Sequence, residues 1–453
     1  MKTIRVGNGC GFWGDQRDAP IRLARDGQLD YLTLEYLAEL TMSILALQRQ
    51  RDPSRGYATD FVDLIEPLAG ILHQQPGLKL VTNAGGMNPR GCAEQVRECL
   101  ISARLSEHRV AVVSGDNLWP RLDELLACGH PFSHLDTGAP LESVRDRVVS
   151  VNAYLGAEPI TRALAQGAMV VVTGRVADAA LTLGPLAYEF GWSFSTTMDQ
   201  DRLAAGTVAG PLIECGAQVT GGIWTNADAT THLETVGYPI AEVQADGRFV
   251  ITKPDGSGGV VNKQTVAEQL LYEVDDPARY YTPDIVADFT TPIIRQIGPD
   301  RVLVDGCRGQ PATETYKVSI AYRDGWTSAG TLVISGPRAV EKARLSGEIL
   351  LDRLRQAGSA PEESLVELLG AGALLPGQAP AVEPPEVVLR VAVRDQSRAV
   401  VERFTREFAP LVTSGLPGTT GYTTGRPAVR EVLAFWPALI AKSAVTPKVE
   451  ILK

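Results

Sequence analysis

The sequence predicts an α/β fold, a mostly parallel, doubly wound, Rossmann-like sheet joined to a second, smaller α+β domain. Three observations lead there. Short apolar runs alternate with segments of helical periodicity from Ile4 to Thr173, which is the repeat that builds parallel sheets. The stretches that follow those runs are rich in Gly, Asn and acidic residues, as at the ligand-binding ends of such strands. Beyond about Asp228 the texture changes to hairpins and strands with helices on one face, the α+β pattern.

Ile4–Val6 reads as the first strand, running into a glycine-rich loop, and Pro20–Asp26 as a short helix. Tyr31–Leu34 is a strand feeding a helix over Leu40–Gln50, which the turn residues Asp52-Pro53-Ser54 end. Phe61–His73 has apolar residues at helical spacing, and Leu78–Thr82 is an apolar strand. Helix Arg90–Leu105, strand Arg109–Ser114, helix Arg121–Ala127 and strand Val148–Val151 follow. Helix Pro159–Gln166 carries its proline in the first turn, and strand Ala168–Thr173 completes the series. An open sheet and a barrel both satisfy this order. Six visible strands rather than eight, and the glycine-rich first turn, favour the open sheet.

The hairpin Pro239–Val243 and Phe249–Lys253 turns at Asp246-Gly247, and a helix is expected over Lys263–Glu273. Strands Arg301–Val304, Thr315–Tyr322, Gly330–Ser335 and Val387–Val393 and helices Pro337–Gln356 and Ser397–Phe408 make the second domain. The division is 1–290, with a hairpin and helix extension from about 228, and 291–453. Gly372–Pro385, rich in Pro, Gly and Ala, reads as an exposed connection.

The chain has 453 residues, 43 Lys and Arg against 53 Asp and Glu, and a net charge of −10. Without a basic run it offers no footprint for nucleic acid. No signal-peptide core and no long apolar stretch occurs, so a cytoplasmic location with no membrane contact is expected. Six cysteines without a C-x-x-C pair predict free thiols. No metal site is expected: His130 and His134 flank Pro131, which argues for a loop rather than a helical ligand pair.

Candidate site residues are those just after strands. Asn8, Gly9, Cys10 and Gly11 sit in the first loop, where glycines let backbone approach a ligand. Gly9 to Gly14 formally matches G-x-G-x-x-G, but Asp15–Asp18 and Pro20 separate it from a long helix. Glu35 and Glu39 follow the second strand, as close carboxylates able to act as acid and base or as a solvated face. Asn83 with Gly85 and Gly86 either cradles an anion on backbone N–H groups or is a capped strand-to-helix turn. Asp116 and Asn152 follow the next two strands. Arg175 and Asp178 either bind an anion and move a proton or simply pair. Gly258 and Gly259, after Lys253, make a second anion-friendly loop, and Ser414–Tyr422 with Arg426 a third. Cys215 has no nearby His and reads as an inert buried thiol.

Gly7–Asp15, Leu29–Glu39, Thr82–Pro89, Asn152–Pro159, Thr173–Pro185, Glu214–Gly222, Gly237–Val243, Thr252–Pro283, Pro417–Pro427 and Phe435-Trp436-Pro437 together resemble the acyclic terpene utilisation (AtuA) family over nearly the whole chain. The resemblance implies catabolism of acyclic terpenoids through branched acyl-CoA intermediates. It also implies, in longer members, a small ferredoxin-like domain of roughly a hundred residues after the point where this chain stops.

The expected function is a lyase of the hydratase or dehydratase kind acting on a branched carboxylate or its CoA thioester. Glu35, Asp116 and Asp178 are its acid–base candidates, and Asn83, Asn152, Arg175 and the Gly85-Gly86 amides its donors. No cofactor is expected beyond coenzyme A as part of the substrate. A non-catalytic acyl-CoA-binding or scaffold subunit and a nicotinamide or flavin oxidoreductase are the alternatives. The partner expected is a second copy of the chain or a separately encoded small ferredoxin-like subunit. The apolar end, Phe435–Ile440 and Val449–Leu452, either makes that contact or docks back into the chain's own core.

Overall fold

The computed structural model describes residues 2–375, 377, 382–421 and 425–452. Part of the Gly372–Pro385 connection, and Tyr422 of the third glycine loop, lie outside them. The chain forms two compact units. The first comprises Met1–Ala321 with Phe435–Lys453, and the second Tyr322–Ala434.

The first unit is built on strands β1 (Thr3–Asn8), β2 (Tyr31–Leu34), β3 (Lys79–Thr82), β4 (Val110–Ser114), β5 (Val148–Ala153), β6 (Val170–Thr173), β7 (Ile240–Gln244) and β8 (Phe249–Thr252). Its helices are α1 (Ala19–Asp26), α2 (Glu39–Arg51), α3 (Thr59–Gln74), α4 (Pro89–Ser102), α5 (Leu122–Ala127), α6 (Glu158–Ala165), α7 (Ala180–Phe190), α8 (Gln200–Glu214) and α9 (Lys263–Leu270). The sheet runs β1-β2-β3-β6-β4 with all neighbours parallel. β7 pairs antiparallel with β1, β8 with β7, Arg301–Asp305 with β8 and Ile293–Gly298 with Arg301–Asp305. Lys448–Ile451 closes the other edge against β4.

The sheet is therefore mixed rather than mostly parallel. Its order, 1-2-3-6-4, also differs from that of the dinucleotide-binding sheets. The expected fifth strand leaves it: β5 pairs instead with Thr315–Ser335, one strand where two were expected. The division at 290 moves for a related reason. Val302–Val304 hydrogen-bond to Phe249–Ile251, which ties the strands after 290 into the first unit's sheet.

Strand faces alternate with period two. On one face Leu32, Leu34, Leu80, Val110, Val112, Val170 and Val172 pack with Leu23, Leu45, Phe61, Ile65 and Val96 of α1–α4 in one core. Tyr31, Val81, Ala111 and Val171 of the other face are equally buried. There α6 packs on β4 and β6, α7 on β1 and β2, and α8 on β1. Burial on both sides explains why β3 and β6 are continuous apolar runs.

The C-terminal segment docks back into the first unit. Trp436 is buried and its indole N–H donates to the Phe132 carbonyl at 2.8 Å, while Ala438 and Ile440 are fully covered. In the second unit, Glu363–Leu369, Glu386–Asp395 and the distal part of Thr315–Ser335 form an antiparallel sheet. Helix Ala339–Gln356 covers it through Ala343, Leu350 and Leu354, with Phe404 and Phe408 completing the core.

Candidate functional site

A cleft of about 1130 Å3 opens in the first unit, beside the carboxyl ends of β1, β2 and β6. Three expected residues, Glu35, Arg175 and Asp178, line its floor, and a fourth, Gly11, its wall. Glu214, the last residue of α8, joins them. One carboxylate oxygen from each of Glu35, Asp178 and Glu214 lies within 4.8 Å of the others.

Local structure fixes each member. β2 ends at Leu34, and Glu35 turns inward, 3% exposed. Its Oε1 accepts from the Leu37 N–H at 3.0 Å and from the Asn83 amide. Asn83 Oδ1 in turn accepts from Tyr36 N at 2.8 Å, so the end of β3 clamps the turn after β2. The second oxygen, Oε2, is buried without a hydrogen-bond partner among the described residues. Arg175, 2% exposed, donates from Nη1 to the Leu37 carbonyl at 2.8 Å. Its Nη2 lies 3.0 Å from Asp178 Oδ1, its guanidinium carbon sits 4.2 Å from the Tyr154 ring centroid, and its Nε has no partner. Glu214 is delivered by Asn8, whose amide donates to the Ile213 and Glu214 carbonyls.

Three carboxylates against one guanidinium set the electrostatics. Burial first, then Asp178, pushes Glu35 up from its ordinary value, against the pull of Arg175 and the Asn83 and Leu37 hydrogen bonds. Burial, then Asp178 and Glu35, pushes Glu214 well up. Glu39 behaves differently. Burial raises it, but Arg175, the Tyr154 hydroxyl and Lys317 together hold it below its ordinary value. Tyr154 donates to Glu39 Oε1 at 2.5 Å, and Lys317 Nζ lies 3.7 Å from the same oxygen.

The cleft as a whole is acid-rich. Among the described residues, Asp15, Glu35, Glu39, Asp178, Glu214, Glu273 and Asp275 share the lining with Arg175 and Lys317 as its only basic residues, while Phe12, Ile223 and Tyr281 make an exposed apolar rim. A bare anion is opposed by that field. Cys215 also lines the cleft, and burial, then Glu214, pushes its thiol far up, so it presents no thiolate.

Other expected residues lie off the cleft and act as supports. Asp116 accepts from Asn152 Nδ2 at 2.8 Å and from the Arg175 N–H at 3.0 Å, which fixes the end of β6. Asn152 is on β5, away from the sheet. A Cβ on Gly85 would run into the Thr173 carbonyl oxygen, and one on Gly86 into Leu45. Those glycines answer close packing, and Asn83 clamps the turn after β2. Gly9 backs onto Pro20 and Cys10 is buried. The G-x-G-x-x-G run therefore packs against α1 and Cys215 rather than opening a helix. Gly258 and Gly259 press on the carbonyls of His232 and Thr220, and Lys253 is paired with Asp300 at 3.1 Å. Of the third loop, Ser414–Gly421 belongs to the second unit.

Glu214, Tyr154 and Lys317 were not singled out by the sequence. One signal existed for Glu214: a carboxylate in the last turn of a helix opposes the macrodipole, a local cost that calls for a tertiary reason.

The model of the acyclic terpene utilisation family protein AtuA matches residues 4–451. No curated protein and no solved structure matches the chain.

Proposed function

Because the chain belongs to the acyclic terpene utilisation family, we propose that it is a lyase of the hydro-lyase kind acting on a branched acyl thioester. The observation that carries this reading is the convergence of Glu35, Asp178 and Glu214 beside Arg175 on the cleft floor. Dehydration of a β-hydroxyacyl thioester needs one group to take the proton from the carbon next to the carbonyl. A second group must protonate the departing hydroxyl, so that water and the C=C bond form together. Two carboxylates of the cluster supply these roles, and hydration is the reverse. The negative charge that develops on the carbonyl oxygen is met by the Arg175 guanidinium, which lines the cleft.

The acid-rich lining favours the thioester over the free acid, because a neutral carbonyl enters such a field without repulsion. The apolar rim of Phe12, Ile223 and Tyr281 suits a branched hydrocarbon chain. The test is an assay of the purified chain on branched enoyl thioesters, alongside Glu35→Gln and Glu214→Gln. Loss of about 10²–10⁴-fold in each variant is expected, and equal rates in all three proteins would remove the reading.

A further inference from the structure

The carboxylate cluster has a second property: it lacks a counter-charge. Glu35, Asp178 and Glu214 present three carboxylates to one guanidinium, Arg175. Glu39 draws on Arg175 as well as on Tyr154 and Lys317, which leaves still less positive charge for the three. We propose that Glu35, Asp178 and Glu214 form a binding site for one hard divalent cation of the Mg2+ or Mn2+ class.

Geometry supports an ion. Oxygens bound to one ion lie at most twice the bond length apart, about 4.2 Å for Mg2+ and about 5 Å for Ca2+; the three carboxylate oxygens lie within 4.8 Å of one another, so a small side-chain rotation closes them on the smaller ion. The donors are all oxygen, which selects Mg2+, Mn2+ or Ca2+ over zinc.

An independent observation points the same way. Glu35 Oε2 is buried in a residue 3% exposed and has no hydrogen-bond partner. Its sister oxygen is fixed from outside the cluster by Leu37 N and Asn83. A carboxylate anchored through one oxygen with the other left bare is how ligating carboxylates are oriented. A divalent ion also cancels the two negative charges that Arg175 leaves over.

The inference rests on the lyase reading for the cleft's role, and it changes what the cluster carries. An ion held by Glu35, Asp178 and Glu214 would supply a Lewis acid beside the substrate's thioester carbonyl, while Arg175 keeps its place next to Asp178.

The test titrates the full chain with Mn2+ alone and reads free Mn2+ by electron paramagnetic resonance. One ion per chain is expected to bind. Glu214→Gln and Glu35→Gln should each weaken it at least tenfold, and Asn83→Ala about 10–100-fold through lost orientation. Folding of each variant is checked by circular dichroism. Asp178→Asn, altering a half-buried member of the three, serves where a buried substitution fails to fold. Failure of wild type to bind one ion, or undiminished affinity in folded variants, overturns the site. Turnover of branched thioesters that persists in EDTA without bound Mn2+ overturns the ion and leaves the lyase reading. Stoichiometric binding without any turnover keeps the ion and removes that reading.

Discussion

The Asn8 side-chain amide donates to the main-chain carbonyl of Glu214 at 2.6 Å and to that of Ile213 at 3.0 Å. The end of the first strand thereby fixes the last turn of the helix that carries Glu214 to the cleft. The same Asn8 is anchored by Thr33 Oγ1, 3.1 Å from its Oδ1, so adjacent parallel strands and a distant helix end are held by one buried amide.

Asn8→Asp should be damaging although Asn8 does not line the cleft. It turns a donor into an acceptor facing three carbonyls, those of Cys10, Ile213 and Glu214, and leaves buried groups unpaired, at a cost of about 1–3 kcal/mol or more. Urea denaturation measures that cost, and Asn8→Asp should also lower turnover by misplacing Glu214. A variant as stable and active as wild type would contradict this role.

Gly11→Ala places a methyl group 2.8 Å from the Cys215 carbonyl carbon. Because the neighbour is backbone, one segment must move, which typically costs about 1–3 kcal/mol. Thermal unfolding should show the loss, and Gly70→Ala, at a helix position with open space around it, should show none.

Asp116 and Glu35 separate support from chemistry. Both are buried carboxylates after strands, yet Asp116 faces Asn152 and the Arg175 N–H rather than the cleft. Asp116→Asn should reduce stability by about 1–3 kcal/mol and leave most turnover in the folded fraction. Glu35→Gln should do the reverse, removing turnover while folding normally. Denaturation curves and rates corrected for folded fraction check the contrast.

Asp284 gives a pH signature away from the cleft. Burial raises its carboxyl to about 6 from 3.8, against two hydrogen bonds from the Ala157 N–H at 3.0 and 2.9 Å. The native state then holds a proton that the unfolded chain has released between about pH 4 and 6. The group's contribution to stability is therefore greatest below pH 4 and falls as pH rises through 6, by about 3 kcal/mol. Asp284→Asn should flatten that part of the stability profile, measured by denaturation at pH 4 to 7. An unchanged slope would be inconsistent with the assignment.

The parallel strands β1 to β4 and β6, and the cleft residues Glu35, Arg175 and Asp178, were legible because each follows an apolar run bounded by turn residues. Helix α8 was not. Its residues Leu203–Ile213 are buried on all sides, so no amphipathic period marks it. Gly206, Gly210 and Pro211 look like breakers, yet Gly210 is there because Ala179 Cα would stand 2.7 Å from a Cβ. Glu214 was hidden with the helix that bears it. The glycine loops carry a reason the sequence does not show: Gly85, Gly86, Gly258 and Gly259 answer close approaches of neighbouring carbonyls and side chains. β5 was found as a strand but placed in the wrong sheet, since pairing partners leave no mark on a single strand's sequence.

Proton exchange at the substrate's α-carbon tests the central claim, that the carboxylates of this cleft floor move a proton next to a carbonyl. The purified chain is incubated with a saturated branched acyl thioester in deuterated water, and label at the α-carbon is followed by nuclear magnetic resonance. Wild type should incorporate one deuterium per α-carbon on one face, and the Glu35→Gln, Glu214→Gln double variant should incorporate none above the uncatalysed rate. No exchange in wild type, or equal exchange in the double variant, would contradict the account.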